Sequence, residues 1–211
     1  QFTPGAGNWC SWMFGRDLVN WNTNFTWAKW VTPSRDLINA FKKEGDEVRF
    51  KESVVYYDCS WSNYYPSDNY PFMYKCRSAN SSIIKYRYAD VLLLKAEALI
   101  MQDTPDLEAA AGIIDEIRKR AGLGKLPSSI RENKNSMIDA LLKERRLELA
   151  FEGQRWFDLV RLDKVEEVMN AVYAKDSGRK AQVYAFDKNS YRLPIPQSVI
   201  DANDKIQQNP G

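Results

Sequence analysis

Residues 141–161, LLKERRLELAFEGQRWFDLVR, form the stretch around which the rest of the chain is organised. Most of it has helical periodicity, and Gly153 is expected to end one helix before a second begins. Arg145, Glu148 and Glu152 fall on or beside the apolar stripe, where a charge is costly unless it is paired. Opposite charges lie within one or two helical turns, so the stretch predicts a structural ion network that clamps helices together. Its predicted members are Arg145, Glu148, Glu152, Arg155, Asp158 and Arg161.

Two of these carboxylates also raise a catalytic alternative. Glu148 and Glu152 lie one helical turn apart, and carboxyl groups about 5–9 Å apart flank the scissile bond in glycoside hydrolases. The neighbouring arginines would depress both pKa values, whereas catalysis needs one pKa raised. The structural network is therefore the favoured interpretation, and glycoside hydrolysis is the least favoured function. We expect no enzymatic activity and no catalytic residue.

The composition excludes several classes of protein. The 211 residues are 44% hydrophobic and 27% charged, which suits one sizeable globular domain. The net charge of +2 is spread along the chain and gives no basic surface for nucleic acid. Histidine is absent, which excludes Ser-His-Asp catalysis and the usual histidine-bearing zinc sites. We therefore expect no cofactor, no metal and no nucleic-acid partner.

The first part of the chain, residues 1–81, is predicted to be loop-rich and aromatic. Six of the seven tryptophans lie between Trp9 and Trp61, among Gly, Asn and Thr residues that favour irregular structure. One helix is predicted here, from an N-cap at Thr32 to a stop at Gly45. This part is expected to join residues 82–211 in one structural domain.

A small β-hairpin is also predicted in this first part. Strand-forming residues cover 48–57 and return at 72–76. Cys59 and Cys76 flank the connecting loop, which makes them a candidate disulfide in an oxidising compartment. Separation along the chain does not show that the disulfide geometry is met, so pairing stays open. With that pair formed, Cys10 is the remaining thiol.

The second part, residues 82–211, is predicted to be helical. Helices over 83–102 and 104–120 form an αα-hairpin with a very short turn, and Gly122 suits the C′ position. The hairpin resembles a tetratricopeptide repeat, which needs neighbouring units to bury its faces. Small residues are expected where the two helices cross, namely Ala98 and Ala110.

Three weaker elements follow this hairpin. A helix is expected to open at Asn135 or Ser136, and another covers about residues 163–173. A strand is a candidate at 182–186. The remaining residues, from about 191, contain three prolines and are predicted to be an extended tail rather than a regular element.

Several phrases of the sequence, taken in order, resemble the C-terminal part of the SusD/RagB family of surface glycan-binding lipoproteins. They are TPSRDLINAF, YRYADVLLLKAEAL, IRKRAGL, ERRLELAFEGQRWFDLVR, LPIPQSVIDAN and QNPG. Each phrase alone is unspecific, but unrelated helical proteins have no reason to share the ordered set. The resemblance covers roughly residues 32–211, and it implies that the chain is a fragment of a larger SusD-like fold.

The resemblance carries expectations about fold and partners. It implies a mainly α-helical scaffold of tetratricopeptide-like αα-hairpins with long loops and a small β-hairpin. It implies a protein that binds oligosaccharide without hydrolysing it and covers a SusC-like TonB-dependent transporter in nutrient uptake. It also implies the extracellular face of the outer membrane, reached through a lipidated N-terminal cysteine. That anchor is absent from this chain, because Cys10 is not preceded by an apolar run.

The aromatic segments are the candidate ligand site under this resemblance. A sugar ring offers an apolar C–H face and a rim of hydroxyls, so a binding site needs aromatic platforms beside amides. The alternative is that the rings fill a small core, in a helical repeat scaffold that binds only protein. The carbohydrate-binding candidates are Trp9, Trp12, Trp21, Asn24, Trp27, Trp61, Asn63, Tyr64 and Tyr65.

Overall fold

The computed structural model describes residues 32–57, 69–75, 84–175 and 185–209. The chain divides into two units, Gln1–Arg155 and Trp156–Gly211, and each is considered by itself below. The described residues are mostly helical with a small two-stranded sheet, as predicted. The predicted division at residues 81 and 82 lies inside the first unit.

Helix α1 (Arg35–Glu44) opens the described part of the first unit. Its N-cap is Ser34, whose hydroxyl accepts a hydrogen bond from the Leu37 amide at 3.1 Å, so the predicted cap at Thr32 was wrong by two residues. Gly45 ends the helix in the left-handed region at φ 70°, as the sequence predicted.

A second helix replaces the first half of the predicted strand at residues 48–57. Helix α2 (Glu47–Ser53) begins at Asp46, whose carboxylate accepts a hydrogen bond from the Arg49 amide. That cap, together with the ion pair between the same two side chains, stabilises a helical turn where strand propensity alone predicted β structure. The strand prediction is therefore wrong for residues 48–53.

The sheet consists of β1 (Val54–Tyr57) and β2 (Tyr70–Met73), which pair antiparallel. Val54 lies opposite Met73 and Tyr57 lies opposite Tyr70. The predicted β-hairpin is thus confirmed, although its second strand begins at residue 70 rather than 72. Residues 58–69 connect the two strands.

The predicted αα-hairpin is formed by α3 (Tyr88–Met101) and α4 (Leu107–Arg120). Helix α3 begins later than predicted, because Arg87 has an extended backbone with φ −145° and ψ 164°. Helix α4 is capped by Asp106, and Gly122 occupies the predicted C′ position at φ 75°. A hydrogen bond from the Leu123 amide to the Arg118 carbonyl closes this end.

Helix α6 (Lys134–Glu148) packs across the hairpin and follows the single-turn helix α5 (Ser128–Arg131). Its N-cap is Asn133 rather than Asn135 or Ser136, since the Asn133 side chain accepts from the Ser136 amide. Ala110 is buried as predicted, but Ala98 is exposed and Ala96 faces the core instead. The core between these helices is Leu93, Ala96, Ile100, Ala110, Ala111, Ile114, Ile117, Leu126, Met137, Ala140 and Leu141.

Helix α6 ends at Glu148, and a turn over residues 149–153 precedes α7 (Arg155–Arg161). The helix therefore ends ahead of the predicted stop at Gly153, but a second helix begins just beyond this glycine as predicted. Gly153 has φ 79° and Phe151 has φ 65°, a conformation that is uncommon for a bulky residue. Leu147 and Ala150 bury this turn against Phe41 of α1.

The second unit contains the rest of α7, then α8 (Val165–Lys175), a 3-10 helix (Lys188–Tyr191) and α9 (Gln197–Asp201). Helix α8 matches the predicted helix at residues 163–173. The extended-tail prediction is wrong for α9, because a proline fits ahead of a helix as well as in an extended chain. Most of the candidate strand at 182–186 lies outside the described residues.

None of the described helices combines the length and the apolar character that crossing a membrane requires.

Candidate functional site

Glu148, at the C-terminal end of α6, gathers cations from three other parts of the first unit. Its carboxylate accepts from Arg87 Nη1 at 2.7 Å, from Arg49 Nη1 at 3.1 Å and from Arg120 Nη2 at 2.5 Å. The Glu148 side chain is only 2% exposed. These contacts tie α2, the start of α3 and the end of α4 to α6. We call the whole set the charge cluster: Arg49, Lys75, Arg87, Arg120, Glu144, Glu148 and Glu152.

Arg87 bridges the two carboxylates that the sequence singled out. Its Nη1 donates to Glu148, while its Nε donates to Glu152 Oε2 at 2.8 Å and its Nη2 to Glu152 Oε1 at 2.9 Å. Nη2 also donates to the Glu148 carbonyl at 2.6 Å, and Lys75 Nζ reaches the same carbonyl at 2.8 Å. Two cations therefore satisfy a carbonyl that the end of α6 leaves without a helical partner.

Arg49 forms the deepest part of the charge cluster. Its Nη1 donates to Glu144 Oε1 at 2.6 Å, and its Nε donates to Asp46, which also caps α2. Arg118 adds a longer contact of 3.4 Å to Glu144 Oε2 and a closer one of 2.6 Å to Glu44. Asp46 thus links the N-cap of α2 to the charge cluster through Arg49.

The other predicted network members lie in smaller contacts. Arg145, 2% exposed, forms a buried ion pair with Asp90 of α3 at 2.9 Å, which is a second link between α3 and α6. Arg155 Nη1 donates to the Leu142 carbonyl at 3.1 Å. In the second unit, Asp158 pairs with Arg161 within α7 at 2.8 Å.

Burial and pairing shift the pKa values of two neighbouring glutamates in opposite directions. Burial pushes the pKa of Glu148 upward, but the hydrogen bonds and charges of Arg87, Arg49 and Arg120 outweigh it and hold the pKa below its ordinary value. Burial dominates at Glu144, so its pKa lies above the ordinary value despite the charge of Arg49. Burial also lowers the pKa of Lys75, although Glu152 opposes this.

The geometry argues against the catalytic alternative for Glu148 and Glu152. In a glycoside hydrolase the substrate lies between the two carboxyl groups, whereas here the Arg87 guanidinium occupies that position. The depressed pKa of Glu148 also opposes a role as general acid. The arrangement is suited to joining helices.

A cleft of about 180 Å³ opens beside the charge cluster. Pockets that enclose drug-sized ligands have roughly 300–1,000 Å³, so this cleft is too small to enclose an oligosaccharide. The charged side chains that line it are Arg49, Glu52, Lys75, Arg87, Arg120 and Glu148.

The predicted carbohydrate-binding residues and the candidate disulfide lie outside the described residues. These are Trp9, Trp12, Trp21, Asn24, Trp27, Trp61, Asn63, Tyr64 and Tyr65, with Cys59 and Cys76.

The sequence missed most of the cations that reach Glu148 and Glu152. Arg87 lies just before an apolar helix and belongs to no charge pattern. Arg49 and Lys75 lie in segments whose composition predicts strands. Asp90 and Glu144 can be identified as buried charges from the sequence, because each is a carboxylate on the inward side of a helix.

Comparison with known proteins confirms the family resemblance. The model of the SusD family (SusD/RagB) matches residues 67–211, which is well over half of the chain. The chain belongs to the SusD family. The match includes α3, α4, α6 and every charge-cluster residue except Arg49, which lies ahead of the matched residues.

Two curated relatives come from Formosa agariphila. SusD-like protein P38 is 43% identical over 99 residues, which is 44% of this chain and 19% of the relative. SusD-like protein P2 is 34% identical over 142 residues, which is 64% of this chain and 27% of the relative. The chain therefore spans about a fifth to a quarter of the length of these relatives.

Solved structures show the same fold. A SusD superfamily protein from Bacteroides vulgatus aligns with a TM-score of 0.64 at 24% identity, over 84% of this chain and 44% of the other. A laminarin-binding SusD-like protein aligns with a TM-score of 0.55 at 27% identity, over 85% of this chain and 38% of the other.

Proposed function

We propose that this chain is part of a surface protein that binds oligosaccharide or polysaccharide without cleaving it. The carrying observation is membership of the SusD family, joined to a likeness at 27% identity to a laminarin-binding member. The protein is the SusD-like component of a TonB-dependent nutrient uptake system. It acts with a SusC-like transporter at the extracellular face of the outer membrane, held there by a lipid anchor.

The contacts of the described glutamates support binding without catalysis. Glu148 and Glu152 accept charge-assisted hydrogen bonds from Arg87, and Glu144 accepts from Arg49. Carboxylates engaged in this way are not available to protonate a leaving group or to attack a sugar. The charge cluster supports the fold, and recognition of ligand belongs to other residues.

Recognition is assigned to the aromatic and amide side chains of the first part of the chain. The described cleft is too small to enclose an oligosaccharide, whereas stacked aromatic rings with nearby amides suit a sugar chain laid along a surface. Residues 58–69 join β1 to β2. Lys75, two residues after the end of β2, pairs with Glu152. The proposed ligand residues are Trp9, Trp12, Trp21, Asn24, Trp27, Trp61, Asn63, Tyr64 and Tyr65.

Native gel electrophoresis in the presence of soluble polysaccharides tests the proposal. The full-length protein that carries this chain should migrate more slowly in gels that contain its glycan, with laminarin as the first probe of the panel. No reducing ends should be released during incubation. Retardation by no glycan would overturn glycan binding, and reducing-end release that Glu152→Gln abolishes would establish a hydrolase.

Single substitutions then locate the binding residues. Trp12→Ala and Trp61→Ala should each reduce retardation while the melting temperature stays unchanged, since a stacked ring contributes to binding rather than to the core. Phe157→Ala is the matched control, because Phe157 is an aromatic residue outside the proposed site with 64% of its surface exposed. Unfolding by either tryptophan substitution would show that the rings are core, as the protein-binding scaffold alternative requires.

A further inference from the structure

The cleft beside the charge cluster has more cations than carboxylates among the described residues of its wall. The charged residues that line it are Arg49, Lys75, Arg87 and Arg120 together with Glu52 and Glu148. Three further carboxylates pair with these cations without lining the cleft, namely Asp46, Glu144 and Glu152. The described wall of the cleft therefore carries two more positive charges than negative ones.

The four cations reach the cleft from four separate segments of the first unit. Arg49 lies in α2, Lys75 follows β2, Arg87 precedes α3 and Arg120 ends α4. Like charges repel each other, so this convergence depends on the anions placed between them. Glu148 accepts from three of the guanidinium groups with a single negative charge. A further anion in the cleft would reduce the repulsion that remains.

Arg49 carries a hydrogen-bond donor that meets no acceptor in the described part of the chain. The residue is 7% exposed, and its Nη2 is buried without a hydrogen bond, whereas its Nε and Nη1 donate to Asp46 and Glu144. Leaving a buried charged donor unpaired is costly, and such groups in native proteins are normally satisfied by a bound ion or an ordered water. Because Arg49 lines the cleft, an acceptor bound there would lie beside this side chain.

Lys75 is likewise not fully compensated for its burial. Its side chain is 24% exposed, and its Nζ lies 2.5 Å from Glu152 Oε1. Burial nevertheless lowers the pKa of Lys75, since desolvation, helped by the charge of Arg87, outweighs the attraction of Glu152. A further negative charge in the cleft that Lys75 lines would stabilise its ammonium group.

We propose that this cleft binds one tetrahedral oxyanion, a phosphate group or the chemically similar sulfate group. The excess of two positive charges in its wall matches a dianion, and guanidinium groups are well suited to donate to such oxygens. A cleft of about 180 Å³ has room for this group and a few waters. The oxyanion accepts from Arg49 Nη2, from Lys75 and from Arg120. None of these residues is among those proposed to bind glycan, so the site is tested independently of glycan binding.

Calorimetric titration of the full-length protein that carries this chain tests the site, with inorganic phosphate as the first probe. Sodium chloride keeps the ionic strength constant, so that screening does not change during the titration. The wild type should show saturable binding with a dissociation constant of about 1 mM or lower. Glucose 6-phosphate is the second probe: tighter binding of this sugar phosphate assigns the cleft to an esterified group, and tighter binding of inorganic phosphate assigns it to a free ion. Saturable binding of neither probe would overturn the proposal and leave the Arg49 donor to an ordered water.

Three substitutions assign the binding to this cleft. Arg120→Gln removes a cation from the wall and should weaken phosphate binding at least about tenfold. Lys119→Gln is the matched control, because Lys119 is the exposed neighbour in α4 that does not line the cleft, and its affinity should stay within about twofold. Glu52→Gln removes an exposed carboxylate from the wall and should tighten binding about threefold or more.

The Glu52 variant keeps the test decisive if Arg120→Gln does not fold, because it removes repulsion rather than a contact of the charge cluster. Unchanged affinity in Glu52→Gln would contradict the proposal. Equal losses in Arg120→Gln and Lys119→Gln would contradict it as well, because attraction to the net charge of the protein does not depend on which of two neighbouring cations is removed.

Discussion

At the scale of the residue, Glu148 contacts three other parts of the first unit. The sequence pattern of its own helix does not indicate these contacts. The Glu148 carboxylate accepts from Arg49 of α2, from Arg87 ahead of α3 and from Arg120 at the end of α4. A buried carboxylate with three guanidinium partners is stable only as a set, because removing one member leaves the others charged and desolvated.

Replacing this carboxylate should therefore be costly. Glu148→Gln is expected to reduce the free energy of unfolding by about 3–5 kcal/mol, since Arg87 and Arg49 lose the compensating charge. Glu47→Gln is the control, because Glu47 pairs with Lys51 on the surface with its side chain 71% exposed. That change should cost no more than about 0.5 kcal/mol. Urea unfolding followed by circular dichroism measures both, and similar losses for the two variants would contradict the role of the cluster.

The opposite pKa shifts of two buried glutamates give a second prediction. The pKa of Glu148 is below 4.5 in the folded state, so its contribution is present above pH 4.5 and is lost as pH falls through the folded pKa. The pKa of Glu144 is above 4.5, so its contribution is present below pH 4.5 and is lost as pH rises through the folded pKa. Glu148→Gln should make the acid loss of stability shallower, and Glu144→Gln should make it steeper.

Urea unfolding at a series of pH values from about 3 to 7 checks this pair of slopes. The two substitutions are chemically identical and both side chains are almost fully buried, at 1% and 2% exposure. A common change of slope in both variants would show that the surroundings do not distinguish the two glutamates.

Sequence reasoning could identify the buried charges but could not name their partners. Periodicity marks Arg145 and Glu148 as inward-facing from their own helix alone. Their observed partners include Asp90 and Arg87, which are more than 50 positions away in the sequence. Pairing at that separation is decided by how helices pack, and the periodicity of one helix carries no information about it.

At the scale of the element, glycines mark where helices end. Gly153 has φ 79° in the turn between α6 and α7, and an added Cβ would meet no atom within 4 Å. A side chain at this position would therefore cause no steric clash with other residues and would be unfavourable only because of the positive φ. Gly112 lies within α4 and is equally open, but it has helical geometry.

The same substitution should consequently have opposite effects at these two glycines. Gly153→Ala should reduce the free energy of unfolding by about 1–2 kcal/mol, because alanine is strained at positive φ. Gly112→Ala should increase it by about 0.5–1 kcal/mol, because alanine is the better helix former. Urea unfolding of both variants is the measurement, and a stabilising Gly153→Ala would show that the turn is not held in the observed conformation.

Most helices could be predicted from the sequence, and the misses have identifiable causes. Long segments with helical apolar periodicity predict α3, α4 and α6, and Gly45 and Gly122 predict the C-terminal ends of two helices. Strand propensity predicts β structure over residues 48–53, whereas the Asp46 cap favours a helix there. Caps were displaced by two or three positions wherever several Ser, Thr, Asn or Asp residues compete.

At the scale of the whole molecule, the residues that support the fold differ from those proposed to bind ligand. All members of the charge cluster except Arg49 belong to the part of the chain that the SusD family model covers, and their side chains are engaged with each other. The aromatic residues proposed for ligand binding lie in the first part of the chain. Composition favoured that assignment through the crowding of tryptophan, but only the family likeness connects it to a sugar.

This separation predicts different effects for two kinds of variant. Trp61→Ala should weaken glycan binding at least about tenfold, which corresponds to 1.4 kcal/mol, with an unchanged melting temperature. Glu152→Gln should lower the melting temperature by several degrees, because Arg87 and Lys75 each lose one charged partner, and should leave the affinity within about twofold.

Isothermal titration calorimetry tests the separation most directly, with the full-length wild-type protein and both variants titrated well below their melting temperatures. The glycan is the one that retards the wild type in native gels, with laminarin tried first. We expect loss of affinity in Trp61→Ala and near wild-type affinity in Glu152→Gln. Full affinity in Trp61→Ala together with lost affinity in Glu152→Gln would contradict this expectation.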